Sequence, residues 1–294
     1  MTFEHKPVLL NEVLSFLPEK SEDTLEYLDC TFGRGGHALA IKEHLNHFLT
    51  ITAIDRDQAA IDFANEQSDQ FGEGFKILRG NFMAMEELGL QAEFDCILAD
   101  LGVSSPQYDD PERGFSFYHD GPLDMRMDQR QELTAREIIN EWPEEELVRI
   151  FKEIGEHPRP FRVIRAILED RKTQSFDTTV QLSSLIERVD GWRKKGSHPA
   201  TKYFMGLRLV VNAEIDPLAD AVEKLFGYLK PGGRLMIISF HSTEDRIIKY
   251  KMREMKERAN ILTKKVIQAT REEVLENPRS RTAKLRVMEK KIES

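Results

Sequence analysis

Residues 29–37 read Asp29-Cys30-Thr31-Phe32-Gly33-Arg34-Gly35-Gly36-His37. An apolar run at 25–28 precedes them, and a helix-period stretch at 38–45 follows. A second apolar run, 49–54, ends at Asp55. Strand, glycine-rich turn, helix and strand in that order make a βαβ unit with a right-handed crossover. Outward from there, the pattern predicts a helix at 57–68 and a third strand at 75–78, closing on Gly80-Asn81-Phe82. A fourth strand at 94–98 ends near Asp100. The alternation specifies an α/β chain with a Rossmann-like doubly wound sheet.

The rhythm then stops. Residues 106–213 carry turns and helical periods (136–139, 144–154, 163–169, 179–188) but no convincing strand. It resumes after Asp216 with a helix at 218–229, the turn Lys230-Pro231-Gly232-Gly233 and a strand at 234–240. A helix at 244–258, a polar stretch and a strand-like alternation at 284–290 complete it. The simplest architecture is one parallel sheet from 1–105 and 214–294, interrupted by a helical domain at 106–213.

At 294 residues the chain buries roughly 75% of its unfolded surface and needs no disulfide or structural metal. Cys30 and Cys96 stand apart, without a zinc-type cluster, as suits a reducing compartment, so no metal is expected. No run reaches 18 apolar residues, and the first residues lack a signal-peptide core. A cytoplasmic protein without a membrane partner is expected.

The net charge is −9, which by itself disfavours a nucleic-acid partner. It is unevenly spread: −19 over 1–150, +4 over 151–240 and +6 over 241–294. Such asymmetry hides a basic surface inside an acidic average.

The glycine turn allows close backbone approach, and the helix behind it offers free N–H groups. A purely structural turn has the same composition. The spacing is not GxGxxG. Asp55, 22 residues after Gly33, is placed to accept hydrogen bonds from a ribose. There is no Walker lysine, and Asp29, Asp55, Asp57 and Asp100 would repel a pyrophosphate. An acid-lined pocket suits a cation instead, which points to S-adenosylmethionine with its sulfonium and ammonium groups. Asp29 and Asp100 could equally cap helices or form turns. Phe82 either stacks on an adenine or packs in the core.

Asp100-Leu101-Gly102-Val103-Ser104-Ser105-Pro106-Gln107 leaves the fourth strand where such sheets place a ligand. Arg113-Gly114-Phe115-Ser116-Phe117 and Gly121 to Met127 mix arginine, aromatics and turn formers, as an RNA-holding loop would. Phe115 and Phe117 could as readily pack into the helical insertion. Basic clusters recur at Arg159, Arg162 and Arg165, at Arg193-Lys194-Lys195, and at Arg279, Arg281, Lys284 and Arg286. A solvated charged face is the ordinary reading of each one; their common location favours phosphate.

With these motifs the chain resembles the MraW/RsmH family of bacterial small-subunit rRNA (cytosine-N4)-methyltransferases. Matching stretches are His5 to Leu10, Asp29 to His37, Ala53 to Asp57, Asp100 to Gln107, Arg113 to Phe117 and Pro122 to Met127. His198 to Thr201, Pro231 to Arg234, Ser239 to Arg246 and Asn277 to Arg286 continue the set. The resemblance implies a class I S-adenosylmethionine-dependent methyltransferase fold with an inserted helical domain for substrate recognition. It implies methyl transfer to the N4 amine of a decoding-region cytidine of 16S rRNA, within the small ribosomal subunit. Cofactor contacts implied are Gly35, Gly36, His37, Asp55, Phe82, Asp100 and Gln107. RNA contacts expected are Arg113, Arg126, Lys194, Lys195, Arg279 and Arg281. Pairing of two copies of the chain is left open. Methylation of another RNA, or a non-catalytic ribosome-assembly role around a vestigial pocket, are the alternatives.

The chain departs from the family at Gly155-Glu156-His157-Pro158-Arg159-Pro160, where two prolines forbid a regular helix before Phe161. It departs again at Thr201-Lys202-Tyr203-Phe204-Met205-Gly206-Leu207-Arg208. The Asp/Asn-Pro-Pro-Tyr segment common in amino-methyltransferases is replaced by Asp100-Leu101-Gly102-Val103. The catalytic candidates are therefore Asp100, as hydrogen-bond acceptor for the amine, and His241, as a polar partner or simply a capped strand end.

Overall fold

The computed structural model describes residues 6–18, 24–45, 49–91, 93–191 and 198–292. The chain forms two compact units, Met1–Gly102 with Asp216–Ser294, and Val103–Ile215.

The first unit is an eight-stranded sheet. Its strands are β1 (Leu25–Asp29), β2 (Leu49–Asp55), β3 (Lys76–Arg79), β4 (Phe94–Asp100), β5 (Leu229–Ser239), β6 (Ala259–Ile261), β7 (Ile267–Gln268) and β8 (Lys284–Lys290). The order is β3-β2-β1-β4-β5-β8-β6, with β7 also on β8. Strands β1 to β5 are parallel. The expected wholly parallel sheet is corrected at one edge: β8 runs antiparallel to β5, β6 and β7. The two short strands lie in what reads as polar sequence, and pairing with β8 holds them. Strand order reverses between β1 and β4, which opens a crevice at the carboxyl ends of those strands. Asp29, Asp55 and Asp100 are the last residues of β1, β2 and β4.

Alternation along the strands feeds two cores. Leu28, Ile54, Ile97, Ala99 and Ile237 pack with Ala221, Val222 and Leu225 of the helix Leu218–Gly227 and with Ile248 and Met252 of the helix Ser242–Glu254. Tyr27, Ile51, Ala53, Leu98 and Ile238 pack with Val13 of Leu10–Ser15 and with Ala38 and Ile41 of Gly36–Leu45. The expected turn at 230–233 is present as a bulge inside β5. Phe94 pairs with Leu229, but Cys96 already pairs with Arg234. Arg286 is buried and grips Asp245 through two bonds of 2.6 and 3.2 Å, fastening the helix to β8. It therefore leaves the basic cluster read at 279–286: an arginine with both forks on a carboxylate has none for phosphate.

The second unit is helical. Its longer helices are Ala135–Glu141, Phe161–Asp170, Thr179–Asp190 and Thr201–Val211. Glu144–Val148 runs on into a π-helical turn, Arg149–Ile154. Helix Phe161–Asp170 starts where the prolines allow it, with Pro160 as its N-cap. Capping boxes start two others: Thr134 with Glu137, and Thr178 with Gln181. The departure at Gly206 has a packing reason. A Cβ there would lie 2.8 Å from the Ile150 carbonyl oxygen and 3.4 Å from Gly155 Cα. Two backbones touch where most helix pairs have side chains.

Gly206→Val should destabilise this unit by about 1–3 kcal/mol through overpacking. Thermal melting reads this as a lowered Tm; an unchanged Tm would mean that the contact relaxes freely.

Candidate functional site

Three carboxylates converge on the carboxyl edge of the sheet. Asp29 is 2% exposed. Its Oδ1 accepts from Thr31 N at 3.1 Å and its Oδ2 from the Tyr27 hydroxyl at 3.2 Å. Burial pushes Asp29 up to about 7, those two donors pull it back, and the nearby Asp55 adds to the rise. Burial, with Asp29 close by, also lifts the Tyr27 phenol well above its ordinary range. Asp55 stitches the second strand to the glycine turn: Oδ2 accepts from Gly33 N at 2.7 Å and Oδ1 from Asp57 N at 2.9 Å. Burial raises it, and the two backbone donors oppose the rise. Asp57 is a helix cap, accepting from Ala59 N at 3.0 Å.

Asp100 differs in kind. Its N–H donates to Thr31 Oγ1 at 2.7 Å, which fixes the backbone. Its Oδ1 is buried without a hydrogen-bond donor among the described residues. Burial, then Asp29, then Glu244, push this carboxyl up to about 8. Its Oδ2 lies 3.8 Å from His37 Nδ1, while His37 Nε2 sits 3.0 Å from the Val8 carbonyl. The neutral tautomer that bonds to Val8 carries its proton on Nε2 and turns Nδ1 toward Asp100.

The glycine turn is shaped by aromatics. Gly35 has φ +69°, and a Cβ there would meet the Phe71 and Phe32 rings at 2.6 and 2.7 Å. Those rings pack edge-on at 5.2 Å, and Phe75 stacks on Phe71 at 4.7 Å. Gly36 opens the helix behind.

The other candidates read from the sequence have partners within the chain. Phe82 is buried, and clusters with Leu28, Ile54 and Met85. Asn81 caps the next turn through Met83 N at 3.0 Å. His241 is the N-cap of Ser242–Glu254, and its Nδ1 accepts from Thr243 N at 3.3 Å. The capped strand end read as the alternative for His241 is thus present. Glu244 Oε2 closes the same cap, accepting from Phe240 N and His241 N at 3.0 Å each.

In the second unit, Arg113 is buried and donates to the Arg126 and Met127 carbonyls at 2.9 and 3.0 Å. Arg126 is clamped by Asp124 at 2.8 and 2.7 Å and also donates to the Gln129 and Gln131 carbonyls. Both brace their own loop. Phe115 is core, and Phe117 stacks on His198 at 4.5 Å, as the packing alternative requires. Gln107 Oε1 accepts from Ser104 N at 2.9 Å and caps Ser105–Asp109. Arg279 and Arg281 are exposed on the turn Pro278–Thr282. Lys194 and Lys195 lie outside the described residues. Counted by unit, the net charges are −6 and −3, so the helical unit is not the basic part.

Sequence reading missed Tyr27, Thr31, Glu244 and the Val8 carbonyl. Tyr27 left a signal: it stands two residues before Asp29 on one strand and so shares its face. No helix is long and apolar enough to cross a membrane among the described residues.

The profile of the MraW methylase family matches residues 2–291. Ribosomal RNA small subunit methyltransferase H of Bdellovibrio bacteriovorus is 54% identical over 290 residues, covering 98% of this chain and 88% of that protein. The protein of the same name from Trichormus variabilis is 47% identical, covering 99% and 93%. A solved structure of a putative rRNA-methylase from Clostridium thermocellum aligns with TM-score 0.48 at 8% identity, covering 98% of each chain. The chain belongs to the MraW methylase family and is an S-adenosylmethionine-dependent methyltransferase. The site fits that cofactor: a buried acceptor without a donor and two carboxyls with raised affinity for protons are matched by a cation bearing N–H groups.

Asp55→Ala should weaken S-adenosylmethionine binding at least about tenfold, since one buried hydrogen bond to a ligand is worth about 1–3 kcal/mol. Asp57→Ala should cost about 1 kcal/mol of stability through the lost cap and leave affinity within a few-fold. Calorimetry on both separates the roles; an unchanged affinity in Asp55→Ala would remove it from the ribose site.

Proposed function

We propose that this MraW-family methyltransferase acts on 16S rRNA, transferring the methyl group to the N4 amine of a cytidine in the decoding region, in the cytoplasm and with the small subunit as its partner. The observation that carries this reading is the family match along 2–291, joined to an acid-lined crevice at the carboxyl ends of β1, β2 and β4.

S-adenosylmethionine, when bound, supplies a methyl group made electrophilic by its sulfonium. The chain's own residues supply the rest. Gly35 and Gly36 bring backbone close, Asp55 takes the ribose hydroxyls, and Asp29 and Asp100 neutralise positive charge. His37, held by Val8, keeps Nδ1 on Asp100. Gln107 is proposed as a further cofactor contact, and the helical unit as the one that recognises the acceptor.

A cytosine amine is a weak nucleophile because its lone pair is delocalised into the ring. Holding it in line is worth about 7–11 kcal/mol of barrier. An acceptor for one amine hydrogen localises the lone pair further, and Asp100 Oδ1 is the acceptor at hand. Once deprotonated beside a cation, Asp100 also takes the proton that leaves late. His241, with its proton on Nε2, orients the base as a donor.

Incubating small subunits with methyl-labelled S-adenosylmethionine and mapping the modified nucleoside by mass spectrometry tests the reading. Label on N4 of a decoding-region cytidine is expected. Label at another atom or on another RNA would contradict it.

A further inference from the structure

Several cations of the sheet unit are neutralised by carboxylates. Lys224 pairs with Glu86, Lys230 with Asp95, Arg234 with Glu289, and Lys251 and Arg258 with Glu223. The outer face of the helix Ser242–Glu254 gathers three that have no such partner among the described residues. The helix buries Glu244, Ile248 and Met252 at successive four-residue steps. Opposite them stand Arg246, Tyr250 and Arg253, at the i, i+4, i+7 spacing of a single face, with Lys249 beside them. None of the three cations forms an ion pair or hydrogen bond with a described residue. Tyr250 is 56% exposed among them.

The acids of this helix are turned away or engaged. Glu244 closes the N-cap, Asp245 holds Arg286, and Glu254 faces Lys251 at the far end. The face therefore carries only positive charge over its first three turns, on a unit whose net charge is −6. It starts directly after β5, at the same carboxyl edge as Asp100. Lys284 pairs across from Ser239 at that edge.

We propose that this helix face, Arg246, Lys249, Tyr250 and Arg253, is a contact surface for the rRNA backbone, with Tyr250 stacking on an unpaired base. The proposal rests on the rRNA reading above and extends it to residues outside the cofactor site. Unpaired cations with an exposed aromatic between them match what a single-stranded RNA presents: regularly spaced phosphates and base faces. The face lies on the sheet unit, so the acceptor strand is gripped from the cofactor's own side.

The test uses the full chain with Arg246→Glu, Lys249→Glu and Arg253→Glu combined, Tyr250→Ala alone, and Lys224→Glu as a control for charge alone. Probes are salt-washed small subunits and protein-free 16S rRNA. The triple variant should bind at least about tenfold more weakly at about 0.1 M salt, and its log–log salt slope should shrink by about 2, three phosphate contacts at about 0.7 each. Tyr250→Ala should lose about fivefold or more with its salt slope unchanged. S-adenosylmethionine affinity should be the same in all, which also shows that they fold. If the triple variant folds poorly, Arg246→Gln and Tyr250→Ala decide. Unchanged RNA affinity and slope, in a protein whose parent methylates small subunits, overturn the surface alone. A parent protein that neither binds nor methylates rRNA overturns the surface and the rRNA reading together.

Discussion

Asp100 Oδ1 is buried with no donor, and Asp29 and Glu244 stand close enough to raise its proton affinity further. Among the described residues no lysine or arginine pairs with Asp29 or Asp100; His37 Nδ1 lies 3.8 Å from Asp100 Oδ2. Such an arrangement opposes folding. A carboxyl whose proton affinity is higher in the folded than in the unfolded chain makes the native state bind more protons. The stability it costs therefore grows as pH rises from the ordinary carboxylate range through about 7 for Asp29 and about 8 for Asp100. Local rules broken in this way mark functional sites, and here a bound cation reverses the sign of the interaction. Much of the surrounding structure serves to hold these carboxyls where they are: the Tyr27 hydroxyl, the Thr31 bridge to β4, and the clasp of Asp55 on the glycine turn.

The cofactor edge was legible because strand ends and turns are local. Each apolar run closes on an aspartate, and a glycine turn sits between the first two, so chain order alone brings Asp29, Asp55 and Asp100 to one edge. Proline chemistry was equally local and set the start of the helix at Phe161 correctly. Phe82 was not decided by sequence, because a phenylalanine after a strand serves a ligand or a core equally well.

The acceptor side was read less well, for a physical reason. A guanidinium satisfies its donors on phosphates or on backbone carbonyls, and composition does not distinguish them. Arg113 and Arg126 each find carbonyls across a short loop, and Arg286 finds a carboxylate 41 residues away in sequence. Charge summed over sequence blocks misled similarly. The negative 1–150 block straddles both units, and neither unit is positive. What survives is positive charge sorted by pairing: three cations without a carboxylate partner among the described residues share one helix face, a grouping that only side-chain contacts reveal. Gly206, read as a departure, reflects backbone contact with the Ile150 turn.

The central claim is that burial, and the charge of neighbouring carboxyls, make Asp29 and Asp100 hold protons near neutrality in the cofactor-free protein, and that a bound cation reverses this. Carbon-13 NMR of labelled aspartate side chains, titrated with and without S-adenosylmethionine, measures this directly. The account predicts two coupled steps, near 7 and 8, in the free protein. Both should fall by more than about one unit when the cofactor binds, as an opposite charge favours the ionised form. Asp29 and Asp100 titrating at an ordinary value of about 3.9 in the free protein, or steps unmoved by the cofactor, would contradict it.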